Sequence, residues 1–171
     1  YLIKDHAQSK KIWESEIGEE INNHIENNFA IKTLGFMNRG PRQLTANKAI
    51  NTPDDLSGLK LRLPENEVYI KVWTALGAIA VPIAFSEVYG ALDSGAINGQ
   101  ENPLATIVSN KFNEVQKYCM ITNHIVEMYK IQCSKIWWDK LDEIQKKIIE
   151  ESLAEASEYG NGIVAKSEDE Y

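Results

Sequence analysis

The chain has 171 residues, 43% hydrophobic and 25% charged, with a formal net charge of −7 at pH 7. This is the composition of a water-soluble globular chain of one domain or two small lobes, and it argues against disorder. Acidic residues are spread along the whole length, so a phosphate-tracking surface would have to be a local exception and a nucleic-acid partner is not expected.

The longest apolar stretches, such as residues 78–85, are far shorter than the roughly 20 residues that cross a bilayer, so the chain itself is not expected to span a membrane. Its opening, Tyr1-Leu2-Ile3-Lys4-Asp5, lacks the basic start and apolar middle of a secretory leader, as expected of a mature or truncated chain. Cys119 and Cys133 have no metal-ligand spacing and are too few for a disulfide framework. They are expected to be buried free thiols, with an inter-strand disulfide as the rarer alternative.

Across residues 10–29 the apolar positions Ile12, Trp13, Ile17, Ile21, Ile25 and Phe29 recur three to five apart, which predicts one helix with a buried stripe. Residues 31–37 read as a strand, and the polar, kinked run 38–43 as a loop where a lobe boundary could sit. Thr52-Pro53-Asp54-Asp55 combines a capping hydroxyl, a first-turn proline and an acid at the third position, so a short helix starts at Pro53 and stops near Gly58.

Strict alternation over residues 59–63 puts Leu59, Leu61 and Leu63 on one strand face and Lys60 with Arg62 on the other. A helix with Val68, Tyr69, Val72, Trp73 and Leu76 on its inner face follows at once, ended by Gly77. Residues 79–83 read as a strand, and Ser86 as the cap of the next helix. Pro103 begins a helical pattern through Ile107, Val108, Phe112 and Val115. Two strands, 118–122 and 127–133, precede a long amphipathic C-terminal helix capped by Asp139. Alternating helices and strands define an α/β chain with crossover connections and helices on both sheet faces.

Catalytic chemistry has little footing. There is no nucleophile elbow, glycine-rich phosphate loop or HExxH pair, and His6, His24 and His124 are scattered; no catalytic residue, metal or cofactor is assigned. Arg62 is different, because a strand end aims its rigid fork and the helix start after Pro64 brings amide groups nearby. A guanidinium fork matches the two oxygens of a carboxylate in a way that lysine cannot copy. On spacing alone, such a cation more often serves a structural salt bridge.

The run from Pro82-Ile83-Ala84-Phe85-Ser86-Glu87-Val88-Tyr89-Gly90-Ala91-Leu92 through Asp93-Ser94-Gly95-Ala96-Ile97-Asn98-Gly99-Gln100-Glu101-Asn102-Pro103-Leu104 closely resembles the solute receptors of tripartite ATP-independent periplasmic (TRAP) transporters. The likeness extends upstream through Asp55-Leu56-Ser57-Gly58-Leu59-Lys60-Leu61-Arg62-Leu63-Pro64-Glu65 and downstream through Lys111-Phe112-Asn113-Glu114-Val115-Gln116-Lys117-Tyr118. It covers essentially the whole chain, which resembles an internal piece of such a receptor.

The resemblance implies a two-lobe α/β periplasmic binding-protein fold. Residues 1–39 would belong to the first lobe, 40–127 would form the ligand-binding second lobe, and 128–171 would supply a return strand and a long helix bridging the lobes. It implies capture of a small organic carboxylate, such as a C4-dicarboxylate or sialic acid, in the periplasm and delivery to TRAP membrane subunits.

By the same likeness Arg62 would pair with the ligand carboxylate, Asn102 would hydrogen-bond it from a Gln-Glu-Asn-Pro turn, and Arg42 would reach it from the crossing loop. Phe85 would pack on its carbon skeleton, and Glu65 and Asn66 would tune the ligand. A turn or cap role for Asn102, a core role for Phe85 and a solvated Arg42 are the structural alternatives. A sensor of the same fold serving a signalling partner is the second functional reading, and a small hydrolase the third.

Overall fold

A computed structural model describes residues 2–170. They form two compact units, one from the stretch ending at Gly40 together with the stretch from Ile125 onward, the other from residues 41–124. In chain order the elements are α1 (His6–Trp13), α2 (Glu16–Phe29), β1 (Ile31–Ala46), a 3-10 turn (Pro53–Leu56), β2 (Lys60–Leu63), α3 (Glu67–Ala75) and β3 (Ile79–Pro82). A second 3-10 turn (Phe85–Glu87) leads to α4 (Val88–Asp93), β4 (Gly99–Pro103), α5 (Leu104–Ser109), α6 (Phe112–Val115), β5 (Tyr118–Met120), β6 (Val126–Ser134), α7 (Lys135–Trp138) and α8 (Glu143–Glu170).

In the first unit, the single helix expected over residues 10–29 is two helices. Ser15, extended at φ −94 and ψ 172, separates α1 from α2, and its hydroxyl donates to the Ile12 carbonyl at 2.6 Å. The corner is so tight that a Cβ on Gly18 would lie 2.3 Å from the Trp13 carbonyl oxygen. Apolar spacing is helical on both sides, so periodicity alone does not reveal the break.

β1 is one strand of 16 residues running through the segment expected to be a loop, and β6 pairs with it. The polar residues there suggest a loop by composition, but each finds a partner: Asn38 N–H donates to Asn161 Oδ1 at 2.7 Å, and Arg39 pairs with Glu127 at 2.8 Å. Pro41 cannot donate to a ladder, and it sits just before the β1–β4 ladder begins at Arg42↔Pro103.

Asp139 does not cap α8. It pairs with Lys135 at 2.8 Å beside α7. Asp142 takes the capping role, accepting from Gln145 N–H at 2.8 Å while Gln145 Oε1 accepts from Asp142 N–H at 3.1 Å, a reciprocal capping box.

The second unit holds the strand order β3-β2-β4-β1-β5. β2 is parallel to both β3 and β4, while β1 is antiparallel to β4 and β5. As the alternation requires, Leu59, Leu61 and Leu63 are buried, and they pack with Leu44, Ala46 and Trp73. A second cluster contains Val88, Leu92, Ile97, Ile107 and Phe112, with Val81 and Ile83 against it. Neighbouring residues of β3 join different clusters, Ala80 the first and Val81 the second, so the sheet is covered on both faces.

Several local expectations change. The inner face of α3 is carried by Ile70 and Trp73, whereas Val68 and Leu76 are exposed. Glu87 rather than Ser86 stands at the start of α4. The helical pattern after Pro103 breaks at Lys111, which takes the left-handed conformation at φ 59 between α5 and α6. Both cysteines are free, and Cys119 is exposed rather than buried, because β5 is three residues long and only Met120 turns toward the core.

Candidate carboxylate site at the ends of parallel strands

From β2 the chain goes outward to β3, then returns past β2 to form β4 on its other side. Between β2 and β4 the connections therefore leave in opposite directions, and at such a switch point the carboxyl ends of parallel strands open a crevice for a ligand. Arg62 is the last residue but one of β2, and Asn102 the last but one of β4. Arg62 also sits opposite Gln100 in the β2–β4 register.

Arg62 is only 5% exposed. Its Nε and Nη2 both donate to the Ile83 carbonyl, at 3.1 and 2.9 Å, and its guanidinium carbon stands 5.7 Å from the Phe85 ring centroid. Among the described residues Arg62 forms no ion pair. Burial pushes its pKa below the ordinary value; Glu101 opposes that shift from a distance and Arg42 adds to it. An arginine nevertheless stays charged at any physiological pH. This is a buried cation held by a neutral carbonyl and an aromatic face.

Arg42 has a different environment. It is 4% exposed, and its Nε and Nη2 grip the Glu101 carboxylate, Nη2 lying 2.8 Å from Oε1. Nη2 also reaches the Glu101 carbonyl at 2.6 Å and Asn102 Oδ1 at 3.1 Å, and the Tyr69 ring lies 5.5 Å away. Arg42 is thus neither solvated nor on a loop.

Asn102 belongs to a fully buried strand, not a turn. Its Oδ1 accepts from Arg42 and its Nδ2 donates to Gln100 Oε1 at 2.7 Å. Phe85 remains 43% exposed while its ring meets core residue Phe112 in a T-shaped contact at 5.9 Å, so one ring both anchors in the core and keeps part of its surface open. Asn66 is the N-cap of α3, its Oδ1 accepting from Val68 and Tyr69 N–H at 2.9 and 3.4 Å. Those helix-start amides are consequently already occupied. Glu65 is exposed.

Sequence reading misses Glu101, which is fully buried and also lies 3.0 Å from His124 Nε2. His124 Nδ1 contacts Thr122 Oγ1 at 2.8 Å, and its ring meets Trp73 edge-on at 5.0 Å. Gln43, Thr45 and Gln100 are missed as well, all at most 2% exposed. The available signal was a run of polar residues between Gly99 and Pro103, in a strand where Gly99 itself is closely packed. A Cβ on Gly99 would lie 2.7 Å from the Thr45 carbonyl oxygen.

A buried arginine at a strand switch point, in no ion pair among the described residues, offers a small anion a place to bind. The family profile described as bacterial extracellular solute-binding protein, family 7 (DctP), matches residues 1–171, and the chain belongs to that family. A TRAP periplasmic solute-binding protein from Roseobacter denitrificans with bound L-galactonate superposes with a TM-score of 0.91 at 39% identity, covering 99% of this chain and 57% of its own. The C4-dicarboxylate-binding periplasmic protein DctP of Rhodobacter capsulatus is 36% identical over 99% of this chain and 50% of its own length. The sialic acid-binding periplasmic protein SiaP of Vibrio cholerae is 37% identical over 90% of this chain and 48% of its own. The chain spans about half the length of the curated relatives it matches.

Proposed function

We propose that the protein carrying this chain is a periplasmic binding protein, not an enzyme, that captures a small organic carboxylate and hands it to the membrane subunits of a TRAP transporter. The observation that carries this reading is Arg62, buried at 5% exposure, bonded to a backbone carbonyl and in no ion pair among the described residues. A buried charge without a counter-charge is costly, and a ligand carboxylate would supply the missing partner through a bidentate, charge-assisted pair. The ligands for which these relatives are named or with which they were solved, L-galactonate, C4-dicarboxylates and sialic acid, all carry that group.

In this reading residues 40–127 are the ligand-binding lobe, residues 1–39 contribute to the first lobe, and residues 128–171 bridge the two. Asn102 donates to the same carboxylate and the exposed part of Phe85 covers the carbon chain. Arg42 acts beside them while held by Glu101, and Glu65 and Asn66 tune the ligand from the start of α3.

A thermal-shift panel of the purified protein against L-galactonate, succinate and sialic acid, each beside a neutral analogue lacking the carboxylate, tests this. The expected result is stabilisation by at least one acid and none by its neutral analogue; equal shifts from acid and analogue would overturn the reading.

A further inference from the structure

Asn102 is the amide end of a longer construction in the second unit. Arg42 Nη2 donates to Asn102 Oδ1 at 3.1 Å, and Asn102 Nδ2 donates to Gln100 Oε1 at 2.7 Å. Gln100 Nε2 donates to Thr45 Oγ1 at 2.8 Å, Thr45 Oγ1 donates to Gln116 Oε1 at 3.1 Å, and Gln116 Nε2 donates to the Val115 carbonyl at 3.1 Å. All five side chains are at most 9% exposed.

The sense of this chain is fixed at both ends. A guanidinium can only donate and a backbone carbonyl can only accept, so every amide between them must turn its oxygen toward Arg42 and its nitrogen toward Val115. A carboxamide flipped at Asn102 would put NH2 against the guanidinium and oxygen against oxygen at Gln100, leaving buried groups unsatisfied. Thr45 is the hinge of the sequence because its single hydroxyl must accept on one side and donate on the other. Cross-strand pairing supplies the geometry: Thr45 stands opposite Gln100 and Gln43 opposite Asn102 in the β1–β4 register.

We infer that Gln100, Thr45 and Gln116 are positioning residues which lock the Asn102 carboxamide with its second Nδ2–H free to donate, so that the site presents donors, not acceptors, to an anionic group. The inference rests on the carboxylate reading of Arg62 for its consequence in binding, but the lock itself is a property of the ligand-free protein. A consequence is discrimination: a free N–H at Asn102, two residues along β4 from Gln100, which stands opposite Arg62, favours an ionised carboxylate, and an inverted amide would offer it an oxygen.

The experiment compares Thr45→Val, nearly isosteric but without the hydroxyl, with Thr45→Ser, which restores it, in the otherwise unchanged protein. The first readout is the side-chain amide spectrum of Asn102 without ligand. Thr45→Val is expected to remove the slow-exchanging, hydrogen-bonded Nδ2 proton signal and Thr45→Ser to return it. The second is calorimetric affinity for L-galactonate, succinate and sialic acid, expected to fall roughly threefold to tenfold in Thr45→Val and to recover in Thr45→Ser. An unaltered Asn102 amide signal in a folded Thr45→Val protein would overturn the inference, as would an altered signal with unchanged affinity for an acid that binds. Arg62→Ala is measured beside them. If it too leaves affinity unchanged, or no acid binds the parent protein, the carboxylate reading fails and the amide signal alone judges the lock.

Discussion

Replacing Glu101 with leucine removes the only fully buried carboxylate of the second unit's core strands, and the size of the effect follows from its partners. Glu101 is 0% and Arg42 4% exposed; the carboxylate holds Arg42 through two nitrogens and lies 3.0 Å from His124 Nε2. Breaking a buried pair from one side costs about 3–5 kcal/mol, because the remaining charge keeps its desolvation penalty. With a urea slope of about 2 kcal/mol per molar, a loss near 4 kcal/mol lowers the unfolding midpoint by about 2 M. Urea titrations followed by circular dichroism and tryptophan fluorescence measure it. The double substitution Glu101→Leu with Arg42→Met should recover part of the loss, since an apolar pair carries no stranded charge. A midpoint change below about 0.3 M in Glu101→Leu would refute the reasoning, because no buried pair of net value would then have been broken.

Other outcomes follow from geometry already described. Gly18→Ala should destabilise the α1–α2 corner, since its Cβ would lie 2.3 Å from the Trp13 carbonyl oxygen; hydrogen exchange should show α1 amides losing protection before those of α3. Asp55 accepts the N–H groups of Asn51 and Thr52 at 2.9 Å each, and these bonds, Asn51 first, hold its carboxyl below the ordinary aspartate range. A depressed folded-state pKa means that the turn's contribution is complete above the unfolded value and is lost as pH falls through the folded one. A carbon-detected titration should therefore place the Asp55 midpoint below that of a model peptide, and Asp55→Asn should abolish the acid-dependent fraying of Pro53–Leu56. Under denaturing, non-reducing conditions two thiols per chain should titrate, because both cysteines are free.

The leucine alternation around Arg62 was legible because it is local: a period of two in five residues both forms the strand and separates the cation from the core. The Thr52–Asp55 turn and the Gly77 stop, at φ +96, were legible for the same reason. The β1 strand was not, since Gly40-Pro41 and its polar neighbours mimic a loop, and only partners more than 80 positions away along the chain, such as Glu127 and Asn161, make the extended form tenable. Buried polar residues mislead in the same way at β4. Gln100, Glu101 and Asn102 are an unlikely core strand by composition, and their burial is stable only because Arg42 and Thr45 meet them from β1. The arginine fork could be found from one segment, but the network that positions its neighbour could not.

Isothermal titration of Arg62→Ala and Arg62→Lys, against whichever of L-galactonate, succinate and sialic acid most stabilises the parent protein, addresses the central claim directly. Loss of a bidentate, desolvated pair is worth about 3 kcal/mol, so Arg62→Ala should bind roughly 100-fold more weakly. Arg62→Lys, which keeps the charge but not the fork, should recover only part of that loss. Parent-like affinity in Arg62→Ala would contradict the assignment of this guanidinium as the carboxylate's partner.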